Sequence, residues 1–281
     1  MQKTLLLLTV VFCLENSALA TWSVIAVDRS TRRVVMAAAS CVDTTDDRMK
    51  NAIGVVVPGI GIATCQATAD GTGGNQMLVF EELQKGTDPY EIIEMLSADP
   101  AFQSRQFGIV DMEGRAAGHS GLGNSFVTQL VSGQVPGTEI FYAVQGNTLR
   151  MHDVVPSAVK SFVETSGSLA DRAMAALWAG DRAGGDSRCS CPPPPEDGGA
   201  PRIPCDAKTA HVAYILMADP SDENGDSYSN GDYAMYLTVS QPSPDHPQGI
   251  REGEDLNPVK TLRMRYEQWR AANRDDIEQE W

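Results

Sequence analysis

Segments with strand periodicity come in runs that hairpins can join along this chain, and they alternate with helical segments that come in pairs. No other property of the sequence restricts the fold as tightly. Trp22 to Asp28 alternates as a strand, Arg29-Ser30-Thr31-Arg32 is a polar turn, and Arg33 to Ser40 is a second strand ending in Ala37, Ala38, Ala39 and Ser40. After the polar segment Val42 to Asn51, Ile53 to Val57 and Ile60 to Ala67 read as two more strands about the break Pro58-Gly59. Two helices follow. Met77, Leu78, Phe80 and Leu83 mark the first, with Gly86 beyond its end; Asp88-Pro89-Tyr90-Glu91 opens the second as a capping box, and Ile92, Ile93 and Leu96 face it. Period two returns at Gln106 to Asp111 and Ala116 to His119 and, past a Gly/Ser-rich loop, at Glu139 to Gln145. A second helical pair carries Val155, Val159, Phe162 and Val163, then Leu169, Ala173, Ala176 and Leu177, the latter capped by Ser168 and Asp171 and closed by Gly180. His211 to Met217 and Tyr233 to Val239 form a last pair of strands, and Val259, Leu262, Tyr266 and Trp269 line one side of a final helix. Strands joined by hairpins pair antiparallel, so this order predicts an α+β fold with two antiparallel sheets and helices over their outer faces.

Ahead of the first strand stand Lys3, the apolar run Leu5 to Phe12, and the small residues Ala18 and Ala20, the charged, apolar and cleavage-site order of a secretory signal over residues 1–20. Cys13 lies inside the apolar run behind the bulky Phe12, so a lipid anchor is not expected. No apolar run is long enough to span a bilayer. The expectation is an exported chain, periplasmic or extracellular. Its net charge is −15, and the leader takes away one lysine and one glutamate, so the balance survives cleavage. Nucleic acid and anionic membrane, which need a basic face, are therefore not expected partners. The organisation predicted is a leader over 1–20, a main domain over 21–240 with a Cys/Pro-rich insertion near 187–208, and a linker and helix over 241–281.

Cleavage after Ala20 makes Thr21 the first residue of the mature chain. Its α-amine titrates near about pH 8, well below a lysine, and so accepts a proton from the threonine Oγ at neutral pH. One residue then holds nucleophile and base together.

Beyond the leader lie Cys41, Cys65, Cys189, Cys191 and Cys205, an odd number. Cys41 and Cys65, near the ends of neighbouring strands, are candidates to bridge, and Cys189 or Cys191 is a candidate to pair with Cys205. A zinc site is not expected, because Cys189 and Cys191 are one residue apart and no histidine follows at ligand spacing. Asp222-Glu223-Asn224-Gly225-Asp226 alternates oxygens like a calcium loop, but Ser227 stands where glycine is needed and Tyr233 where glutamate is needed. His119, His152, His211 and His246 form no ligand pair. No metal or cofactor is called for.

The blocks Thr21-Trp22-Ser23-Val24-Ile25-Ala26-Val27-Asp28, Ala37-Ala38-Ala39-Ser40, Val57-Pro58-Gly59-Ile60-Gly61 through Gln66, Gln106-Phe107-Gly108-Ile109-Val110-Asp111, Ala143-Val144-Gln145-Gly146-Asn147 and Ala179-Gly180-Asp181-Arg182-Ala183-Gly184-Gly185-Asp186 follow one another through the chain. In that order they resemble the family called domain of unknown function 1028. The resemblance implies the N-terminal nucleophile hydrolase superfamily and a four-layer αββα sandwich. It further implies that Thr21 matches the residue which members without a leader expose by losing the initiator methionine. On that footing Thr21 is the nucleophile for an amide bond in a small-molecule or peptide-like substrate. Asn147 is the first candidate for the oxyanion donor, with Gln66 and the backbone around Gly146 behind it, and Ser40 and Asp186 are candidates to orient the amine. Members of the superfamily often keep a lysine or arginine beside the nucleophile, whereas the residue after Ser40 here is Cys41. The alternative is a catalytically silent secreted protein of the same fold that binds a ligand or partner. Self-association is compatible with either reading.

Overall fold

The structure is a computed structural model; it describes residues 21–44, 46–124, 127–189, 208–224, 227–240 and 249–273. The leader, the core of the Cys/Pro-rich insertion with Cys191 and Cys205, and the linker after Ser240 lie outside the described residues. The strands are β1 (Thr21–Asp28), β2 (Arg33–Ser40), β3 (Gly54–Val57), β4 (Gly61–Ala67), β5 (Arg105–Asp111), β6 (Ala116–Ser120), β7 (Gln129–Gln134), β8 (Ile140–Gly146), β9 (Val212–Ala218) and β10 (Met235–Ser240). The helices are α1 (Asp46–Ile53), α2 (Gly74–Lys85), α3 (Pro89–Leu96), α4 (Val154–Glu164), α5 (Leu169–Arg182) and α6 (Pro258–Ala272). One sheet has six strands in the order β10-β9-β2-β1-β8-β7 and the other has four in the order β3-β4-β5-β6. Every pairing between these strands is antiparallel. The described residues thus form an α+β fold with two antiparallel sheets and six α-helices.

Strand parity decides what faces what. In β1 the even residues Trp22, Val24 and Ala26 join a cluster with Val155, Phe162, Ala173 and Leu177 of α4 and α5 and with Val259 and Leu262 of α6. The odd residues Ile25 and Val27 join Met36 of β2 and Ile62 and Val110 of the smaller sheet. On the far side of the smaller sheet, Val55, Cys65, Phe107 and Ile109 pack with Val79, Leu83, Ile92 and Leu96 of α2 and α3. Trp22 is fully buried and donates from Nε1 to the Leu177 carbonyl at 3.3 Å.

Ser168 and Asp171 form the reciprocal capping box at the start of α5, Asp88 caps α3 by accepting from Tyr90 N, and Asn257 caps α6 by accepting from Val259 N. Gly180, read as the end of α5, instead lies inside a helix that runs on to Arg182. A Cβ there would stand 2.8 Å from the Trp22 ring, so the glycine makes room for the indole. Two further elements differ from expectation. The polar stretch Val42 to Asn51 contains α1, whose Met49 and Ile53 are buried one helical turn apart. Part of the Gly/Ser-rich loop is β7, an edge strand with half-exposed residues that pairs with β8.

The cysteine pairing differs too. Cys41 bonds to Cys189, and Cys65 is free and buried. Parity explains it: Cys65 points away from the six-stranded sheet into the cluster under α2 and α3, whereas Cys41 follows Ser40 at the end of β2. The loop Asp222 to Asn224 is closed by Asp222, whose Oδ2 accepts from Asp219 N and Ala234 N. Among the described residues no cluster of His, Cys, Asp or Glu is arranged to hold a metal, and no helix is long and apolar enough to cross a membrane.

Candidate functional site

The inward-facing residues change character along the sheets. Near the β1–β2 turn they are Val27, Val34, Ile62 and Val110. At the other end they are Thr21, Ser23, Ser40, Thr64, Gln66, Gln106 and Gln145, all buried. Alternation alone places them there, since Thr21 and Ser23 share the parity of Ile25, Gln66 that of Ile62, and Gln106 that of Val110.

These polar groups stitch the two sheets together. Gln66 Nε2 donates to the Thr21 carbonyl at 3.1 Å and to Gln106 Oε1 at 2.8 Å, while its Oε1 accepts from Ser23 Oγ at 2.7 Å. Both amide hydrogens of Gln66 are thereby committed. The Asn147 backbone N–H donates to the same Thr21 carbonyl at 3.0 Å, and Asn147 Nδ2 donates to Gln106 Oε1 at 3.2 Å. Gln106 Nε2 is shared among Ser120 Oγ at 2.8 Å and the carbonyls of Gln129 and Gly146 at 3.1 Å each. Gln145 Nε2 donates to Thr64 Oγ1, and its Oε1 is buried without a partner. Gly108, between Gln106 and Val110, allows the approach of Gln145: a Cβ there would lie 2.6 Å from Gln145 Oε1.

Thr21 lies directly opposite Ser40 in the β1–β2 ladder, which brings their side chains to one face within about 5 Å. Ser40 Oγ accepts from Val42 N and from Arg188 Nη2, each at 3.2 Å. The Arg188 guanidinium is held in turn by the fully buried Asp186 carboxylate, 2.7 Å from Nη2, and that carboxylate also accepts from Cys41 N at 2.9 Å. The Cys41–Cys189 disulfide fastens this corner across 148 residues of sequence.

All five residues singled out in the sequence, Thr21, Ser40, Gln66, Asn147 and Asp186, thus converge on one end of the inter-sheet layer. Two were missed. Gln106, seen in the sequence only as the start of a strand, is the hub that binds Gln66 and Asn147; its signal is a glutamine at an inward position of an apolar strand. Arg188 supplies the cation that Cys41 could not, from within the stretch read as an insertion. Nearby, Asp181 accepts from Thr209 Oγ1 and, at 2.8 Å, from Asn257 Nδ2; burial pushes its pKa up against these bonds.

Clefts bordered by described residues open elsewhere. One of about 430 Å³ lies over the turns at the opposite end and includes Arg29, Gly59 and Arg115. Another of about 600 Å³ lies between the β1–β2 turn and the start of α5. A third lies among α4, α5 and α6.

Residues 21–191 match the model of a family of unknown function, DUF1028. The fold is similar to the crystal structure of protein SPO2555 from Silicibacter pomeroyi, which carries the same family description, with a TM-score of 0.61, 20% identity and 89% of each chain covered. At that identity the likeness speaks to the fold alone. No curated protein matches the chain.

Proposed function

The chain belongs to the DUF1028 family of unknown function, and we propose that it is an exported N-terminal-threonine hydrolase of an amide bond, peptide-like or acyl, made active when cleavage after Ala20 exposes Thr21. Its two sheets and the helices outside them are, on this reading, the four-layer αββα sandwich of the N-terminal nucleophile hydrolases. One observation carries the proposal. The residue that would head the mature chain begins an interior strand, its carbonyl clamped by Gln66 Nε2 and Asn147 N, with Ser40, Arg188 and Asp186 alongside.

The Thr21 α-amine would take the proton from Oγ as Oγ attacks the amide carbon, and the same proton would pass to the departing amine as the carbon–nitrogen bond breaks. Water then cleaves the resulting ester and restores the hydroxyl. Arg188 places a positive charge near the amine, which opposes its protonation and keeps it a base; Asp186 positions the guanidinium. The Asn147 amide, with one of its two Nδ2 hydrogens on Gln106, has the other to offer an oxyanion. Gln66 has none to spare and acts as a positioning residue for Thr21. A disulfide at this corner agrees with an oxidising, extracytoplasmic compartment.

The test joins two measurements on the secreted protein. Mass spectrometry should find Thr21 at its N-terminus, and Thr21→Ala should lower hydrolysis of an amide panel by on the order of 10⁴-fold and abolish labelling by an acyl electrophile. A terminus elsewhere, or undiminished turnover in the variant, overturns the proposal. One observation favours the alternative of a secreted binding protein without turnover, namely that the three clefts above open away from Thr21.

A further inference from the structure

The cleft of about 600 Å³ is floored by an arginine that the protein has not neutralised. Arg172, in the first turns of α5, is 9% exposed. Its Nη1 donates to the carbonyls of Phe162 and Val163 at the end of α4, each at 3.1 Å, and its Nε is buried with no partner at all. Among the described residues no carboxylate is bonded to it. Two acids and a second cation share the cleft with it, each already engaged: Asp28 acts on Arg172 without bonding to it while its Oδ1 accepts from the Ser30 N–H and hydroxyl, Glu139 pairs with Arg29, and Arg33 pairs with Asp219. Burial pulls the Arg172 pKa down, the mark of a cation held short of solvent and counter-ion.

The neighbouring cleft shows how this protein otherwise treats such groups. There Arg29 pairs with Glu139 at 2.9 Å, Arg32 donates to the Gly59 carbonyl at 2.7 Å, and Arg115 pairs with Asp111 at 2.6 Å. A guanidinium serving only to tie down the end of α4 needs no second, buried and unbonded edge. Gly167, Ser168 and Leu169 at the N-terminus of α5, which the Asp171 carboxylate already caps, line the same cleft. Ile140, Leu169 and Met217 supply apolar wall.

We propose that this cleft binds a small organic carboxylate, its carboxylate meeting Arg172 at the start of α5 and its apolar body lying against Ile140, Leu169 and Met217. The site is separate from Thr21, at the other end of β1, and does not depend on hydrolysis. Titration calorimetry of the full secreted chain with phenylpropionate and with its primary amide tests it. The acid should bind saturably and the amide about tenfold or more weakly, as expected when a charge-assisted hydrogen-bonded pair is lost. Arg172→Lys keeps the charge but not the planar fork and should weaken the acid about tenfold. Gln134→Trp, at the exposed rim, leaves Arg172 untouched and should block the acid even if the lysine variant does not fold. Thr21→Ala should bind as the parent does. Equal binding of acid and amide, no saturable binding of the acid, full binding by Gln134→Trp, or its loss in Thr21→Ala would each overturn the proposal.

Discussion

The space between the two sheets is hydrocarbon at one end and amide and hydroxyl at the other. At the β1–β2 turn, Val27, Val34, Ile62 and Val110 hold the sheets together by burial, which has no direction and tolerates small adjustments. At the Thr21 end, Ser23, Gln66, Gln106 and Asn147 do so with hydrogen bonds that fix positions, and every partner removed leaves a buried donor or acceptor stranded. The apolar end contributes adhesion; the polar end contributes geometry. At the polar end the backbone so fixed is that of Thr21, whose carbonyl accepts from Gln66 Nε2 and Asn147 N.

That contrast can be broken most forcefully at the disulfide. Cys41→Ser with Cys189→Ser opens a link across 148 residues, which should lower stability by about 4 kcal/mol. Hydrogen exchange should show the loosening at Ser40 and Asp186 and not at Val34 and Ile62; a uniform loss would show that the corner is not a separate unit. Next comes a pair of substitutions on one strand. Gln106→Leu strands Gln66 Nε2 and Asn147 Nδ2 and should cost about 3 kcal/mol in urea unfolding. Val110→Ala, four residues along the same face, removes two methyl groups and should cost about 2 kcal/mol. If the valine change proves the costlier, the network is not holding this end. Gly108→Ala, between them, pushes a methyl group toward Gln145 Oε1 and should cost about 1 to 2 kcal/mol, partly recovered by Gln145→Ala.

The smallest effect concerns pH. Burial raises the Asp181 pKa in the folded chain, so the folded state holds that proton more tightly than the unfolded one. The contribution is fully present below the unfolded carboxylate value and is lost as pH rises through the raised folded value. Asp181→Asn should flatten this part of the melting-temperature profile, and an unchanged slope would assign it to another group.

Much of this was legible in the sequence, and the exceptions share a cause. The strands β1, β2, β5 and β9 were legible because both of their faces are buried, so apolar and small residues run through them between polar turns. The strand β7 was hidden because it is an edge with half-exposed, mostly polar residues, and α1 because its buried apolar residues Met49 and Ile53 stand among charged and polar ones, with Lys50 buried beside them. Thr21, Ser40, Gln66, Asn147 and Asp186 were within reach because each stands at an end of a recognisable block, Thr21 opening the first and the others closing theirs. Gln106 was passed over as a strand residue like any other, although an inward glutamine among Phe107, Ile109 and Val110 is its own signal. Arg188 and the Cys41–Cys189 bond join segments far apart in the chain, and nothing local foretells which residues the fold will bring together.

Chain ends ordinarily fray, because their first residues have neighbours on one side only. In this sheet β1 lies between β2 and β8, and Thr21 is already opposite Ser40 while its carbonyl is bonded to Asn147 and Gln66. A terminus created at that threonine would be a fixed mounting rather than a loose tether: moving it means unzipping two ladders at once. On the proposed reading, substrate would have to come to the amine, because the amine could not swing out to meet it.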